Sequence, residues 1–282
     1  VQFGELVDVL VQMALAEDLG DQGDVTTRAV LPSNVQMSGQ IVAKAEGVIA
    51  GLPVARSVFY QIDSDVEFEP QVADGDKVTP GTVVCTLRGS AHSLLIGERT
   101  ALNFLQRLSG ISTLTRKFVD AVAGTQAVIL DTRKTTPGWR LLEKYAVRMG
   151  GGQNHRMGLY DAVMIKDNHI AAAGGITAAV ERVRAYPAAA DLPIIVEVER
   201  LSQLEEVLPL GVSQILLDNM DEATMRQAVE ITAGRVPLEA SGNMSLERAA
   251  AVAATGVNFI SVGALTHSAP AFDLSMRLQQ EI

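Results

Sequence analysis

In the second half of the chain, short apolar runs alternate with segments whose apolar residues recur at helical spacing. The runs are 127–130, 162–165, 194–196, 215–217, 238–240 and 259–262. Between the later ones, Leu201, Leu204, Val207 and Leu208, then Leu246, Ala249, Ala250 and Ala253, fall on single helical faces. Strand–helix alternation of this kind predicts parallel strands joined by crossover helices. Asp131, Lys166, Glu197, Asp218, Ser241 and Gly263 each follow or interrupt the close of a run. The last four stand about one strand–helix unit apart. In a barrel such residues meet on the rim at the strand C-termini, where catalysis sits. A doubly wound open sheet is the alternative, but the Gly-rich dinucleotide fingerprint after a first strand is missing. The reading is an α/β chain with an incomplete (β/α) barrel, since only six runs are found.

The first part of the chain follows a different pattern. Alternating segments at 36–43, 66–72 and 82–87, with the turn Asp74-Gly75-Asp76, suggest an antiparallel sheet. Helices are expected at 51–62 and 90–108, and an amphipathic start carries Leu6, Val7, Leu10, Val11, Ala14 and Leu15. The expected division is a smaller N-terminal domain over 1–110, an antiparallel sheet with helices around it and 272–282 packing back on it, and a barrel over 111–271. Residues 74–81 resemble turns of lipoyl-carrier and biotin-carrier domains, but no lysine sits at a hairpin tip, so a scaffold is the preferred reading.

Composition narrows the function. With 282 residues, 48% hydrophobic and 20% charged, the chain can bury a sizeable core. A formal charge of −10 argues against general nucleic-acid binding and against adhesion to acidic membranes. Residues 249–272 lack Asp, Glu, Lys and Arg, yet Thr255, Gly256, Asn258, Ser261, Gly263, His267 and Pro270 make a turn and a buried strand the better reading than a span. The single cysteine, Cys85, forms no intrachain disulfide, and with no signal-type N-terminus a cytoplasmic location is expected.

Against this acidic background stands a basic island. Residues 131–169 hold seven Lys or Arg against four acids, a net +3 that leaves −13 on the rest of the chain. Concentrated cations focus a field on a small anionic substrate. A solvated helix face accounts for Arg140, Lys144 and Arg148, which fall at helical spacing, but not for Arg133, Lys134, Arg156 and Lys166. Planar guanidinium forks suit carboxylates or phosphate. Opposite in sign, Glu197 and Asp218 can hold Mg²⁺, bind ribose hydroxyls or stabilise a developing cation, or they merely cap helices. Ser241-Gly242-Asn243 and Gly263-Ala264 end the last two runs, where barrels commonly seat a phosphate.

These residues carry a resemblance over nearly the whole chain. Asp131-Thr132-Arg133-Lys134-Thr135-Thr136-Pro137-Gly138, Leu142-Glu143-Lys144-Tyr145-Ala146-Val147-Arg148, Gly150-Gly151-Gly152, Asn154-His155-Arg156 and Ile165-Lys166-Asp167-Asn168-His169 resemble the quinolinate phosphoribosyltransferases, also called carboxylating nicotinate-nucleotide pyrophosphorylases. Leu217-Asp218-Asn219, Glu239-Ala240-Ser241-Gly242, Ser261-Val262-Gly263 and Glu98-Arg99-Thr100-Ala101-Leu102-Asn103 continue it. The resemblance implies a magnesium-dependent reaction of quinolinate with phosphoribosyl pyrophosphate that gives nicotinate mononucleotide, pyrophosphate and CO2 in NAD biosynthesis. It implies a smaller N-terminal α/β sandwich domain beside an incomplete barrel. It implies quinolinate binding by Arg99, Arg133, His155, Arg156 and Lys166, with Arg99 shared across a homodimer interface, and places Thr132 among the substrate-binding residues. It implies catalytic roles for Lys134, Glu197 and Asp218, the two carboxylates also holding the metal. The ribose phosphate would be bound by Ser241, Gly242, Asn243, Val262, Gly263 and Ala264. Alternatives are a nicotinate phosphoribosyltransferase, an aldolase-like barrel using Lys166 as a Schiff-base amine, and an anion-binding or carrier protein.

Overall fold

The computed structural model describes residues 2–280 and divides the chain into two units. The first takes in the chain up to Leu114, the segment Leu141–Gly151 and the chain from Ala269 on. In order it contains helices α1 (Phe3–Leu19) and α2 (Val25–Val30), strands β1 (Gln36–Ala43) and β2 (Gly47–Val48), α3 (Leu52–Ile62), β3 (Glu67–Pro70), β4 (Lys77–Val78) and β5 (Val83–Ser90). Helix α4 (Ala91–Ala121) leads out of it. The second unit contains β6 (Val128–Leu130). After α5 (Arg140–Met149) come β7 (Val163–Ile165), α6 (Asp167–Ala173), α7 (Ile176–Ala185), β8 (Ile194–Val198), α8 (Leu201–Val207) and β9 (Gln214–Asp218). It ends with α9 (Glu222–Thr232), β10 (Leu238–Ser241), α10 (Leu246–Ala253), β11 (Phe259–Ser261) and α11 (Ala264–His267), before β12 (Leu274–Gln280) returns to the first unit.

In the first unit β12, β1, β5 and β3 form an antiparallel sheet in that order. The C-terminal stretch expected to pack back therefore does so as an edge strand, Leu274 opposite Ala43 and Leu278 opposite Gly39. Residues 281 and 282 of that expectation lie outside the described residues. Helix α4 is longer than the expected 90–108, because Ser109-Gly110 does not stop it. A Cβ at residue 110 would collide with the Pro270 carbonyl, so the glycine serves close backbone approach rather than termination. Ser109 and Ser112 turn their hydroxyls onto the carbonyls of Ala50 and Val48.

Segment 141–151, assigned to the barrel by sequence, clusters with the first unit. The solvated face expected there holds for Arg148, which is exposed, but not for Lys144. Glu143 and Lys144 are buried, and Glu143 Oε1 pairs with Arg107 at 3.2 Å.

All six apolar runs of the second unit become strands of one parallel sheet, ordered β6-β11-β10-β9-β8-β7. No pairing closes β6 onto β7 among the described residues, so the barrel is incomplete. Gln153 adds a one-residue parallel bridge beside Leu130 at the open β6 edge. Because side chains alternate along a strand, paired positions sort into two faces. One carries Val163, Ile165, Val196, Ile215, Leu217, Leu238, Ala240 and Ile260, nearly all fully buried. The other carries an inner apolar layer of Ala162, Ile195 and Leu216 with Met164 against it. One step further along each strand lie Lys166, Glu197, Asp218, Ser241 and Gly263. The period of two thus turns the spacing of these residues into a single rim.

Candidate active site

A cavity of about 850 Å³ opens at this rim, entirely within the second unit. Of the residues singled out by sequence, Thr132, Arg133, Lys134, His155, Arg156, Lys166, Glu197, Asp218, Ser241, Gly242, Asn243, Gly263 and Ala264 line it. Two do not. Val262 is fully buried and its N–H is already donated to the Leu130 carbonyl at 2.9 Å. Arg99 is exposed on α4, in the first unit.

The cationic wall is built around the stub at Gln153. Gly151 takes a φ of +91°, a conformation that favours glycine, and the turn delivers Gln153 to β6, where its N–H reaches the Ile129 carbonyl at 2.8 Å. Asp131, fully buried, accepts the His155 backbone N–H at 2.8 Å. Its role is to anchor this turn. His155 and Arg156 are thereby held over the sheet. The Arg156 guanidinium donates to the Ala162 carbonyl at 3.2 Å and approaches Met164 Sδ at 3.7 Å. Burial, and then the like charge of Arg133, hold Arg156 below the usual arginine range. Two guanidiniums that repel each other across a cavity form a receptor for an anion that neutralises both.

Facing them is the acidic rim. Burial raises Glu197 above the ordinary carboxylate range, with the Asp218 charge adding to the effect and Lys166 opposing it. Burial likewise raises Asp218, with Glu199 adding and Lys166 opposing. Lys166 Nζ lies 3.6 Å from Glu197 Oε2. An ammonium engaged by a carboxylate is a poor amine nucleophile, which disfavours the Schiff-base alternative. Burial pushes the Cys85 thiol up to about 12, so the only cysteine is no nucleophile either.

The small-residue loops close the third side. Asn219 and Asn243 adopt left-handed backbone, φ 54° and 46°, next to Gly242 at 95°. Strain of this kind persists where surrounding structure imposes it. Arg248 does so here, donating to the Gly242 carbonyl at 3.3 Å, the Met220 carbonyl at 2.8 Å and Glu222 Oε1 at 2.6 Å. A Cβ at Gly263 would lie 2.9 Å from Lys134 Cδ, so glycine keeps the cavity open there. The Thr266 hydroxyl holds the Lys134 carbonyl at 2.7 Å.

Residues 111–277 match the C-terminal domain of quinolinate phosphoribosyl transferase, and residues 24–109 match its N-terminal domain. The chain belongs to the quinolinate phosphoribosyltransferase family. A probable nicotinate-nucleotide pyrophosphorylase (carboxylating) of Synechocystis sp. is 48% identical, over 97% of this chain and 92% of its own. Quinolinate phosphoribosyltransferase (decarboxylating) 1b of Nicotiana tabacum is 43% identical, over 97% and 82%. The crystal structure of NadC from Streptococcus pyogenes superposes with a TM-score of 0.95 at 42% identity, covering 100% of this chain and 99% of that one. Its arrangement of a parallel helix-flanked sheet and a separate small antiparallel sheet is therefore the family fold.

Among the cavity residues that sequence reading did not assign to it are Met164, Leu216, Asn219, Glu239, Ser245 and His267. The signal for Met164, Leu216 and Glu239 was the period of two, each being the residue two before a rim position. Ser245 caps α10 and His267 ends the four-residue helix α11, both too short-range in context to give a periodic signal.

Proposed function

We propose that this chain transfers a phosphoribosyl group from phosphoribosyl pyrophosphate to quinolinate, giving nicotinate mononucleotide, pyrophosphate and CO2 for NAD biosynthesis. The observation that carries this reading is the division of one cavity into a cationic wall of Arg133, Arg156 and Lys166 and an acidic rim of Glu197 and Asp218. A dicarboxylate fits the former, and a sugar carbon acquiring positive charge fits the latter. Departure of pyrophosphate from the anomeric carbon builds oxocarbenium character that the two carboxylates stabilise. Attack by the pyridine nitrogen needs positioning rather than a base, because that nitrogen carries no proton. The N–C bond forms as the C–O bond to pyrophosphate breaks. The alkylated ring then accepts the electron pair left on C2 as CO2 departs, and C2 takes up a proton. The loops at Ser241–Asn243 and Gly263-Ala264 are assigned to the ribose phosphate, and Lys134, exposed beside Gly263, to the leaving pyrophosphate.

Magnesium fits the residues present. Glu197 and Asp218 are desolvated carboxyls whose ionised forms a cation would favour. Among the described residues no group of three or more His, Cys, Asp or Glu is placed to hold a metal ion. A hard cation bound through one or two carboxylates would complete its shell with diphosphate oxygens and water. When bound, it supplies charge neutralisation of the leaving group.

The active assembly is proposed to be a homodimer in which Arg99 of one subunit reaches the other's quinolinate. Its exposure on α4, in the first unit and not among the residues that line the cavity, supports this. Mixing Arg99→Ala with Lys166→Ala protein tests it: activity should reappear in mixed dimers, and its absence after proven subunit exchange refutes a shared site. Among the described residues no helix is long and apolar enough to cross a membrane, and a buried free cysteine suits a reducing cytoplasm. The deciding assay for the activity follows CO2 and pyrophosphate release from quinolinate plus phosphoribosyl pyrophosphate. Turnover of nicotinate in place of quinolinate would overturn the reading.

A further inference from the structure

We propose that Glu239 is a positioning residue for the quinolinate site, acting through His155. The inference rests on the assignment of the cationic wall to quinolinate. Glu239 is the second residue of β10, between Leu238 and Ala240, and its side chain is fully buried. A carboxylate in a strand core costs stability unless its partners compensate. Here both partners converge on one oxygen: Oε2 accepts from His155 Nε2 at 3.1 Å and from the side-chain amide of Gln214. The other oxygen, Oε1, is buried without a hydrogen-bond partner. A half-satisfied buried carboxylate is a poor device for stability alone, which directs attention to what it holds.

What it holds is the ring of His155. His155 Nδ1 accepts the backbone N–H of Arg156 at 2.7 Å. The hydrogen-bond network therefore places the ring proton on Nε2, where it is donated to Glu239. With both nitrogens engaged within the protein and 8% of the side chain exposed, His155 meets the cavity as a ring wall rather than as a donor to a substrate carboxylate. The same ring fixes the peptide of Arg156, whose guanidinium then starts from a set position toward Ala162 and Met164. Glu239, His155 and Arg156 thus form a chain running from the strand core to the cationic wall. Side chains that orient a binding group in this way change affinity for one ligand without touching it.

The test compares Glu239→Leu, Glu239→Gln, His155→Ala and the double variant His155→Ala/Glu239→Leu in the full-length enzyme, with kinetics for each substrate and calorimetric binding of quinolinate alone. Glu239→Leu should raise KM for quinolinate about tenfold or more, leaving KM for phosphoribosyl pyrophosphate within about twofold. Glu239→Gln, whose carbonyl can still accept from Nε2–H, should recover much of the loss. In the His155→Ala background, removing Glu239 should add less than about twofold, because the two act as one unit. Nitrogen-15 spectra of the wild-type enzyme should show His155 as the single Nε2–H tautomer, a readout that does not depend on any variant folding. A wild-type mixture of tautomers, equal losses for both substrates, or additive effects in the double variant would each overturn the proposal. If wild-type enzyme neither binds nor decarboxylates quinolinate, the functional assignment fails. If it does both and Glu239→Leu matches it, only the role of Glu239 fails.

Discussion

Lys166 Nζ stands 3.6 Å from Glu197 Oε2, so the cationic wall and the acidic rim meet in an ion pair. Lys166 is half exposed and Glu197 largely buried, and the lysine partly offsets the burial that raises the carboxyl. A residue assigned to quinolinate therefore also tunes a residue assigned to the sugar cation. Glu197 must be ionised to stabilise that cation, so activity falls as pH drops through its pKa. Removing Lys166 deletes an influence that lowers that pKa. In Lys166→Ala the acid limb of the pH–rate profile should move to higher pH, alongside a rise in KM for quinolinate. An acid limb that stays in place or moves down would sever the link between the two walls.

Arg156 is held by planar, directional contacts to the Ala162 carbonyl and Met164 Sδ. Lysine retains the charge but not the fork. Arg156→Lys should therefore lose most of the quinolinate affinity that Arg156→Ala loses, ~2–5 kcal/mol for a desolvated charge contact. Calorimetric titration with quinolinate measures both. Near-wild-type affinity in the lysine variant would reduce Arg156 to a general positive charge.

The rim was legible because strand ends are marked twice, by the stop of an apolar run and by a polar or small residue there. Lys166, Glu197, Asp218, Ser241 and Gly263 all read this way. What lay beneath the rim was less visible. Met164 and Leu216 look like any core residue, and Glu239 looks like an error in an apolar strand until His155 is seen beside it. Lys144 misled for the opposite reason. Its helical spacing with Arg140 and Arg148 suits a solvated face, whereas segment 141–151 is packed into the first unit and Lys144 is buried. Helix α4 outran its expected end because Gly110 answers a tertiary need, the nearby Pro270 carbonyl, that no local pattern encodes.

Glu143 is fully buried, and Arg107, about a third exposed, donates to it at 3.2 Å and to the Ala269 carbonyl at 3.0 Å. Removing the arginine from a fully buried carboxylate is destabilising, by up to about 3–5 kcal/mol. Arg107→Ala should lower the urea midpoint of the first unit accordingly. Changing both residues together, to Arg107→Met with Glu143→Leu, should recover most of the loss. A single variant as stable as wild type would show that the pair carries no structural weight.

Gly242 combines a φ of +95° with a direct clash between any added Cβ and Asn219 Oδ1. Alanine there meets both backbone strain and a displaced neighbour, and the strain alone costs about 1–3 kcal/mol. Since the loop is assigned to the ribose phosphate, Gly242→Ala should raise KM for phosphoribosyl pyrophosphate at least about tenfold while quinolinate binding in its absence stays near wild type. Equal weakening of both ligands would mean that the loop supports the whole cavity instead.

Asp218 is a group whose function opposes its stability. Burial raises its carboxyl above the ordinary range, with Glu199 adding to the effect. A raised folded-state pKa means the folded protein prefers the protonated form. Ionisation therefore costs stability above that pKa, and the cost disappears below the unfolded value of ~3.9. Asparagine carries no charge to desolvate, and its carbonyl can still accept from Asn219 Nδ2, which bonds Asp218 at 2.8 Å. Asp218→Asn should thus abolish turnover yet raise the thermal midpoint at neutral pH, by only about 1–2 °C because solvent at the cavity mouth screens the charge. The gain should fade as pH falls toward 4. An asparagine variant less stable than wild type at pH 7.5, or a difference indifferent to pH, would mean that the carboxylate is held by contacts stronger than its burial penalty.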